Sequence, residues 1–111
     1  MADELDLLVI GGGIAGLTAG FHAATAGRKT LVLTGALLGG NLLSIEAIEG
    51  YPGHPDSIAG YELCPTVQMD AAQAGAAFAV VEADSLLQEG GLWRVQSAQG
   101  EHVARAVILA T

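Results

Sequence analysis

The chain has 111 residues, a net charge of −8 and one cysteine, with 51% hydrophobic and only 14% charged residues. That length supports one domain with one core, and a mean hydropathy of +0.48 favours a strongly buried α/β core over disorder. The negative charge argues against a nucleic-acid backbone or an anionic membrane as partner, while the lone Cys64 excludes an internal disulfide framework and fits a reducing cytoplasm.

In chain order, the acidic start MADELDLL and the interruptions at Asp6, the glycines and His22 argue against reading this stretch as a signal peptide or membrane span. Leu5–Ile10 is a short, nearly continuous apolar run, as expected of a strand covered on both faces. Ile14–Ala26 is rich in Ala and Leu and reads as a helix stopped by Gly27, with Arg28 and Lys29 near its negative end. Thr30–Leu33 is a second strand, which completes a βαβ unit with a right-handed crossover.

Residues 34–59 show no sustained period and hold Pro52 and Pro55 with several glycines. A loop that long inside a compact domain points to function. Residues 60–74 read as a helix in which Pro65 must fall in the first turn or cause a kink. Phe78–Val81 is a third strand. From Ser85 to His102, short strands alternate with turns at 89–91 and 99–101, the pattern of an antiparallel meander. Val107–Ala110 is the last strand. There is no internal repeat and no low-complexity linker.

The stretch VIGGGIAGLTAG (residues 9–20) places G-x-G-x-x-G between the first strand and the first helix. Gly11 permits a tight turn, Gly13 lets a pyrophosphate approach bare backbone, and Gly16 lets the helix pack on the strand. The first N–H groups of that helix lack internal partners, and its macrodipole adds positive potential. The pattern therefore predicts a dinucleotide site that needs no Lys or Arg. The general fingerprint also wants an acid at the end of the second strand, to hold a ribose hydroxyl. Here Thr34 and Gly35 stand there, and a threonine supplies a hydrogen bond without charge.

The loop and the last strand narrow the choice of cofactor. TGALLGGN (34–41), IEGYPG (48–53) and VILAT (107–111) resemble the FAD domain of the low-molecular-weight thioredoxin reductase family of pyridine nucleotide-disulfide oxidoreductases. In that family a glycine pair and Gln follow the second strand, a Glu-Asn-Tyr/Trp-Pro-Gly stretch comes next, and a later strand ends in Ala-Thr-Gly. The resemblance extends from Leu7 to Thr111. It implies that Gly11, Gly13, Ile14, Ala15 and Gly16 face the FAD pyrophosphate and that Thr34 and Gly35 lie beside the adenosine ribose. It places Gly39, Gly40, Asn41 and Leu42 along the cofactor toward the isoalloxazine. Ala83 matches a position whose backbone contacts the adenine, and Ala110 and Thr111 match the start of the Ala-Thr-Gly turn. Two positions depart from the pattern: Asn41 replaces Gln, and Gly50 replaces Asn. The first shortens a polar arm by one methylene and the second removes a side-chain amide near the flavin, whose redox behaviour depends on such hydrogen bonds.

The resemblance also implies parts that these residues do not contain: an NADPH-binding domain with a Cys-x-x-Cys pair, and a returning segment that completes the FAD domain. The expected fold class is therefore α/β. It is a Rossmann-like FAD-binding domain with a parallel sheet, helices on both faces and an inserted antiparallel β-meander over about residues 85–104, incomplete on its C-terminal side. An isolated piece of this kind is expected to expose a sheet edge and to bind FAD weakly or need a partner segment.

The other candidates read as structural. Cys64 lies in an apolar helical stretch and, alone, cannot perform dithiol–disulfide exchange. His22, His54 and His102 show no metal-ligand spacing. Asp3, Glu4 and Asp6 read as a solvated start, Glu46 and Glu49 as loop carboxylates, and Trp93 as a packing residue of the meander. No catalytic residue and no metal ligand is assigned. By resemblance, NADPH reduces the flavin in the parent enzyme, and electrons pass through a cysteine pair to thioredoxin in a cytoplasmic homodimer. Two alternatives stay open: a relative without the cysteine pair that serves ferredoxin, oxygen or another acceptor, and a non-enzymatic nucleotide-binding fragment.

Overall fold

The structure, a computed structural model, describes residues 4–35 and 43–111. In chain order the elements are β1 (Glu4–Ile10), α1 (Ile14–Thr25), β2 (Thr30–Leu33), α2 (Gly60–Ala74), β3 (Ala77–Ala79), β4 (Ala83–Glu89), β5 (Leu92–Ser97) and β6 (Gly100–Leu109). The strands form one sheet in the order β3-β2-β1-β6-β5-β4. β3, β2, β1 and β6 are mutually parallel; β5 adds antiparallel to β6, and β4 antiparallel to β5. This is the Rossmann-like arrangement with an inserted meander.

Both crossovers, β1-α1-β2 and β2-α2-β3, step in the same direction along the sheet. Right-handed connections then leave both helices on one face. Leu17, Leu63, Cys64 and Val67 form a buried cluster between the helices, and Ala24, Ala71 and Ala76 form a second. The opposite face is closed differently. Leu8, Leu33 and Ala79 pack there with Val95 and Ala104 of the meander strands. Of the helices on both faces implied by the resemblance, the described residues supply those of one face.

Burial on both sides explains the continuous apolar run in β1. Val9 faces α1 and Leu8 the meander cluster, and both are 0% exposed. Each such side chain stabilises the fold by about 1.5–3 kcal/mol relative to exposure. Asp6 is not merely a solvated acid. Its Oδ2 accepts a 2.8 Å hydrogen bond from the Lys29 amide, and its own amide donates to the Lys29 carbonyl at 2.9 Å. That pair aligns the start of β2 with β1.

Both helices end in the same bond pattern. Gly27 N donates to Ala24 O and Arg28 N to Ala23 O, while Gly75 N donates to Ala72 O and Ala76 N to Ala71 O. These are Schellman closures, and they satisfy carbonyls left over at the helix ends. Pro65 stands at the sixth residue of α2, past the first turn, and the helix continues through it. Proline removes the amide that would bond the Tyr61 carbonyl, and Tyr61 is on the exposed side of the helix.

Two features differ from the sequence reading. The third meander strand and the last parallel strand are one ten-residue strand, β6. Its first half pairs with β5 through Gly100–Ala104, and its second half pairs with β1 through Val103–Leu109. A change of pairing partner leaves no local sequence mark. The long loop is also partly organised: Ile48 and Ile58 exchange hydrogen bonds of 2.8 and 3.1 Å, and with Leu43 and Tyr51 they pack against the Leu17–Leu63 cluster.

The fit of α1 on β2 is tight at Gly20, where a Cβ would lie 2.7 Å from Val32 Cγ2. Gly20→Ala should therefore lower stability by about 1–3 kcal/mol through overpacking, despite the helix propensity that alanine adds. Urea unfolding of G20A, V32A and the double variant checks this. The double variant should be more stable than the sum of the single changes requires, and simple additivity would refute the contact.

Candidate cofactor-binding site

The C-terminal ends of the parallel strands are joined by a row of backbone bonds. Ala110 N donates to Ile10 O at 2.8 Å, Gly11 N to Leu33 O at 2.9 Å, Thr34 N to Ala79 O at 2.9 Å and Gly35 N to Val81 O at 3.1 Å. The chain leaves β1 toward β2 on one side and reaches β6 on the other, so this edge is a topological switch point. Open α/β sheets bind ligands at such a place. The row brings Gly11, Thr34, Gly35, Ala110 and Thr111 together, although up to a hundred residues of sequence separate them.

Each glycine of the fingerprint meets a different physical requirement. Gly11 has φ +130°, and a Cβ there would fall on the Ala110 carbonyl, 2.6 Å from its carbon and 3.2 Å from Thr111 N. A Cβ on Gly16 would strike the Gly11 carbonyl and approach Val9 Cγ1 at 3.4 Å, so Gly16 seats α1 on the end of β1. Gly13 is the opposite case: among the described residues, nothing lies within 4 Å of its Cβ position. The open space above Gly13 is where a ligand can reach the main chain.

That opening faces the start of α1. Gly13 is the N-cap residue, with no side-chain cap and no acid in the first turn. The first intrahelical bond described runs from Leu17 N to Gly13 O at 3.0 Å. The amides of Ile14, Ala15 and Gly16 are thus left for an external acceptor, and the helix dipole favours an anion there. All four cationic side chains of the chain lie elsewhere, at Arg28, Lys29, Arg94 and Arg105. Arg94 binds Glu101 at 2.7 Å on the meander, and Arg105 lies 3.9 Å from Glu4 at the far end of the sheet. Backbone dipoles therefore provide the positive potential at the cradle.

Gly12 was not assigned a role from the sequence, yet its surroundings are among the tightest. A Cβ there would lie 2.5 Å from Thr34 O and 2.8 Å from Thr34 Cα. The third glycine thus lets the β1–α1 turn press on the end of β2. Thr34 is 5% exposed, and its Oγ1 donates inward to Gly35 O at 3.1 Å, with Ala79 O at 3.4 Å. Its backbone lies beside the cradle while its hydroxyl proton is held by the main chain. Ala83 begins β4 and is half-buried against the Leu8 cluster. Gly39, Gly40, Asn41 and Leu42 lie outside the described residues.

At Gly50, where the resemblance leads one to expect Asn, φ is +75°. Asn is among the few side chains that tolerate this region, so glycine keeps the backbone conformation and removes only the amide. Cys64 is 0% exposed and packs with Leu17, Leu63 and Val67. Burial pushes its thiol up from the ordinary value. His22 packs edge-on against Phe21, His54 lies against Tyr51, and His102 Nε2 is 3.0 Å from Ser97 Oγ. Among the described residues no three His, Cys, Asp or Glu side chains are placed to hold a metal ion, and no helix is long and apolar enough to cross a membrane.

Comparison with known proteins agrees with this geometry. A family profile described as "FAD binding domain" matches residues 6–44. The chain is 32% identical over its whole length to a thioredoxin reductase of Treponema pallidum and spans 36% of that protein. It is 38% identical over 95% of its length to the thioredoxin reductase of Mycolicibacterium smegmatis and spans 34% of it. Its fold superposes on all of the described length of this chain with the crystal structure of a thioredoxin reductase from Streptococcus pyogenes at a TM-score of 0.90 and 26% identity, covering 36% of that chain.

Two outcomes follow from the site geometry. Gly13→Ala should leave the fold stable to within about 1 kcal/mol yet reduce FAD affinity at least about tenfold, whereas Gly16→Ala should fail in urea unfolding itself. Equal effects of both on folding would contradict the open cradle. For Cys64, the raised native pKa means that its contribution is fully present below the unfolded thiol value, about 8.5, and is lost as pH rises through the native one. A thiol reagent at neutral pH should label the native protein roughly a hundredfold more slowly than the urea-unfolded chain; comparable rates would refute the burial.

Proposed function

The chain belongs to the low-molecular-weight thioredoxin reductase family and carries its FAD-binding domain, and on that premise we propose that its site residues hold FAD within an NADPH-dependent oxidoreductase. The observation that carries the proposal is the contrast between Gly11 and Gly16, which are packed on backbone, and Gly13, which meets no other described residue at an uncapped helix start. A diphosphate fits that arrangement because it can accept from the amides of Ile14, Ala15 and Gly16 without any cation.

In this reading, Gly11, Gly13, Ile14, Ala15 and Gly16 bind the pyrophosphate. Thr34 and Gly35 flank the adenosine ribose, and the Ala83 backbone meets the adenine. Gly39, Gly40, Asn41 and Leu42 follow the cofactor toward its ring system, with Ala110 and Thr111 beside the turn at Gly11. FAD held by these residues would supply the redox chemistry, hydride acceptance from NADPH and onward electron transfer. The residues of this chain bind and orient the cofactor, and none of them carries a proton or thiol step. The whole protein is proposed to act as a cytoplasmic homodimer that reduces thioredoxin. The replacements at Asn41 and Gly50 favour a second reading, in which a relative without a cysteine pair serves another acceptor such as ferredoxin or oxygen.

Titration of the flavin-free form of the protein that carries this chain with FAD, followed by quenching of flavin fluorescence, should give saturable binding. Its affinity should depend only weakly on salt, since no lysine or arginine neutralises the phosphates. Absence of binding would sink the cofactor reading. For the protein that carries this chain, NADPH oxidation should require thioredoxin; turnover with ferredoxin or oxygen instead would select the second reading.

A further inference from the structure

The general dinucleotide fingerprint takes its ribose-binding acid from the end of the second strand. In this chain that position is Thr34–Gly35, and the Thr34 hydroxyl is turned inward. An acid nevertheless stands there in space. A Cβ built on Gly35 would lie 2.5 Å from Glu82 Oε1, 3.1 Å from Glu82 Cδ and 3.3 Å from Glu82 Oε2. The Glu82 carboxylate therefore fills the volume that a side chain at position 35 would occupy.

The backbone explains how it gets there. Gly35 N donates to Val81 O at 3.1 Å, which continues the pairing of β2 and β3 past their ends and draws the next residue, Glu82, alongside. Glu82 is exposed, so its carboxylate is not sealed in the core. It adjoins Ala83, the residue assigned to the adenine, and Gly35, the residue assigned to the ribose. From Gly13 the path runs through Gly12, which touches Thr34, to Gly35 and Glu82. That is the order in which an adenosine diphosphate presents phosphate, ribose and base.

We propose that Glu82 is the ribose-binding acid of this site, accepting hydrogen bonds from the 2′- and 3′-hydroxyls of the adenosine half of FAD. The proposal rests on the FAD reading above and adds a residue to it. A carboxylate has about four lone-pair sites, so it can accept from ribose hydroxyls in addition to bonds within the chain. Charge-assisted bonds of this kind are about twice as strong as neutral ones. Glycine at position 35 is then required twice over: its φ is +70°, and a side chain there would displace the carboxylate.

The test uses the flavin-free form of the protein that carries this chain, with ADP and 2′,3′-dideoxy-ADP as competitors of FAD. Glu82→Ala should weaken ADP binding on the order of 10- to 100-fold, and Glu82→Gln, which keeps one acceptor, by less. Binding of 2′,3′-dideoxy-ADP, already weak in the unmodified protein, should change less than about twofold in either variant. If either variant weakens ADP and 2′,3′-dideoxy-ADP alike, Glu82 braces the loop and the proposal fails, as it does if ADP binding is unchanged. If the unmodified protein binds neither FAD nor ADP, the cofactor reading falls and takes this inference with it. Circular dichroism of E82Q and E82A shows that the fold is intact in each comparison.

Discussion

Everything at this site depends on how closely the main chain approaches itself where β1 ends. The Gly11 turn lies against the Ala110 carbonyl on one side and receives α1 through Gly16 on the other. Gly12 closes the remaining side against Thr34. With three contacts made by backbone alone, the helix start is held in one orientation and its free amides point away from the packed side, above Gly13. A side chain at any of the three packed positions would push the strand ends apart, and the row of hydrogen bonds from Ala110 to Val81 would lose its alignment.

That arrangement also sets the electrostatics. An acidic chain of net charge −8 is a poor general host for a dianionic group. The uncapped start of α1, with no acid in its first turn, provides a local exception. Fixed peptide dipoles do this at no cost in side-chain ordering, whereas lysine or arginine would have to be immobilised. The acid nearest the cradle, Glu82, stands instead beside Gly35, at the end of β2.

Much of this was legible in the sequence because the relevant signals are local. The βαβ unit, the bounds of β2 and α2, and the separate duties of Gly11, Gly13 and Gly16 follow from apolar period and glycine spacing. Less legible was whatever depends on a partner strand. The union of a meander strand with the last parallel strand into β6 arises from a change of neighbour at Val103–Ala104, which leaves the alternation of residues unchanged. Asp6 looked like part of a solvated acidic start, since nothing in the first strand announces the Lys29 amide that it binds.

By itself, the sequence determined where the backbone had to be bare and which run of residues could be buried on both faces. Those properties belong to the residue types and their spacing, and they act over one or two turns of chain. Only the tertiary structure decided that Gly12 bears on Thr34, that the Thr34 hydroxyl turns inward, and that an acid from beyond β3 fills the space beside Gly35. Such contacts join residues tens of positions apart through the pairing of β1, β2 and β3, and no local period encodes which side chain a neighbouring strand will bring to a gap.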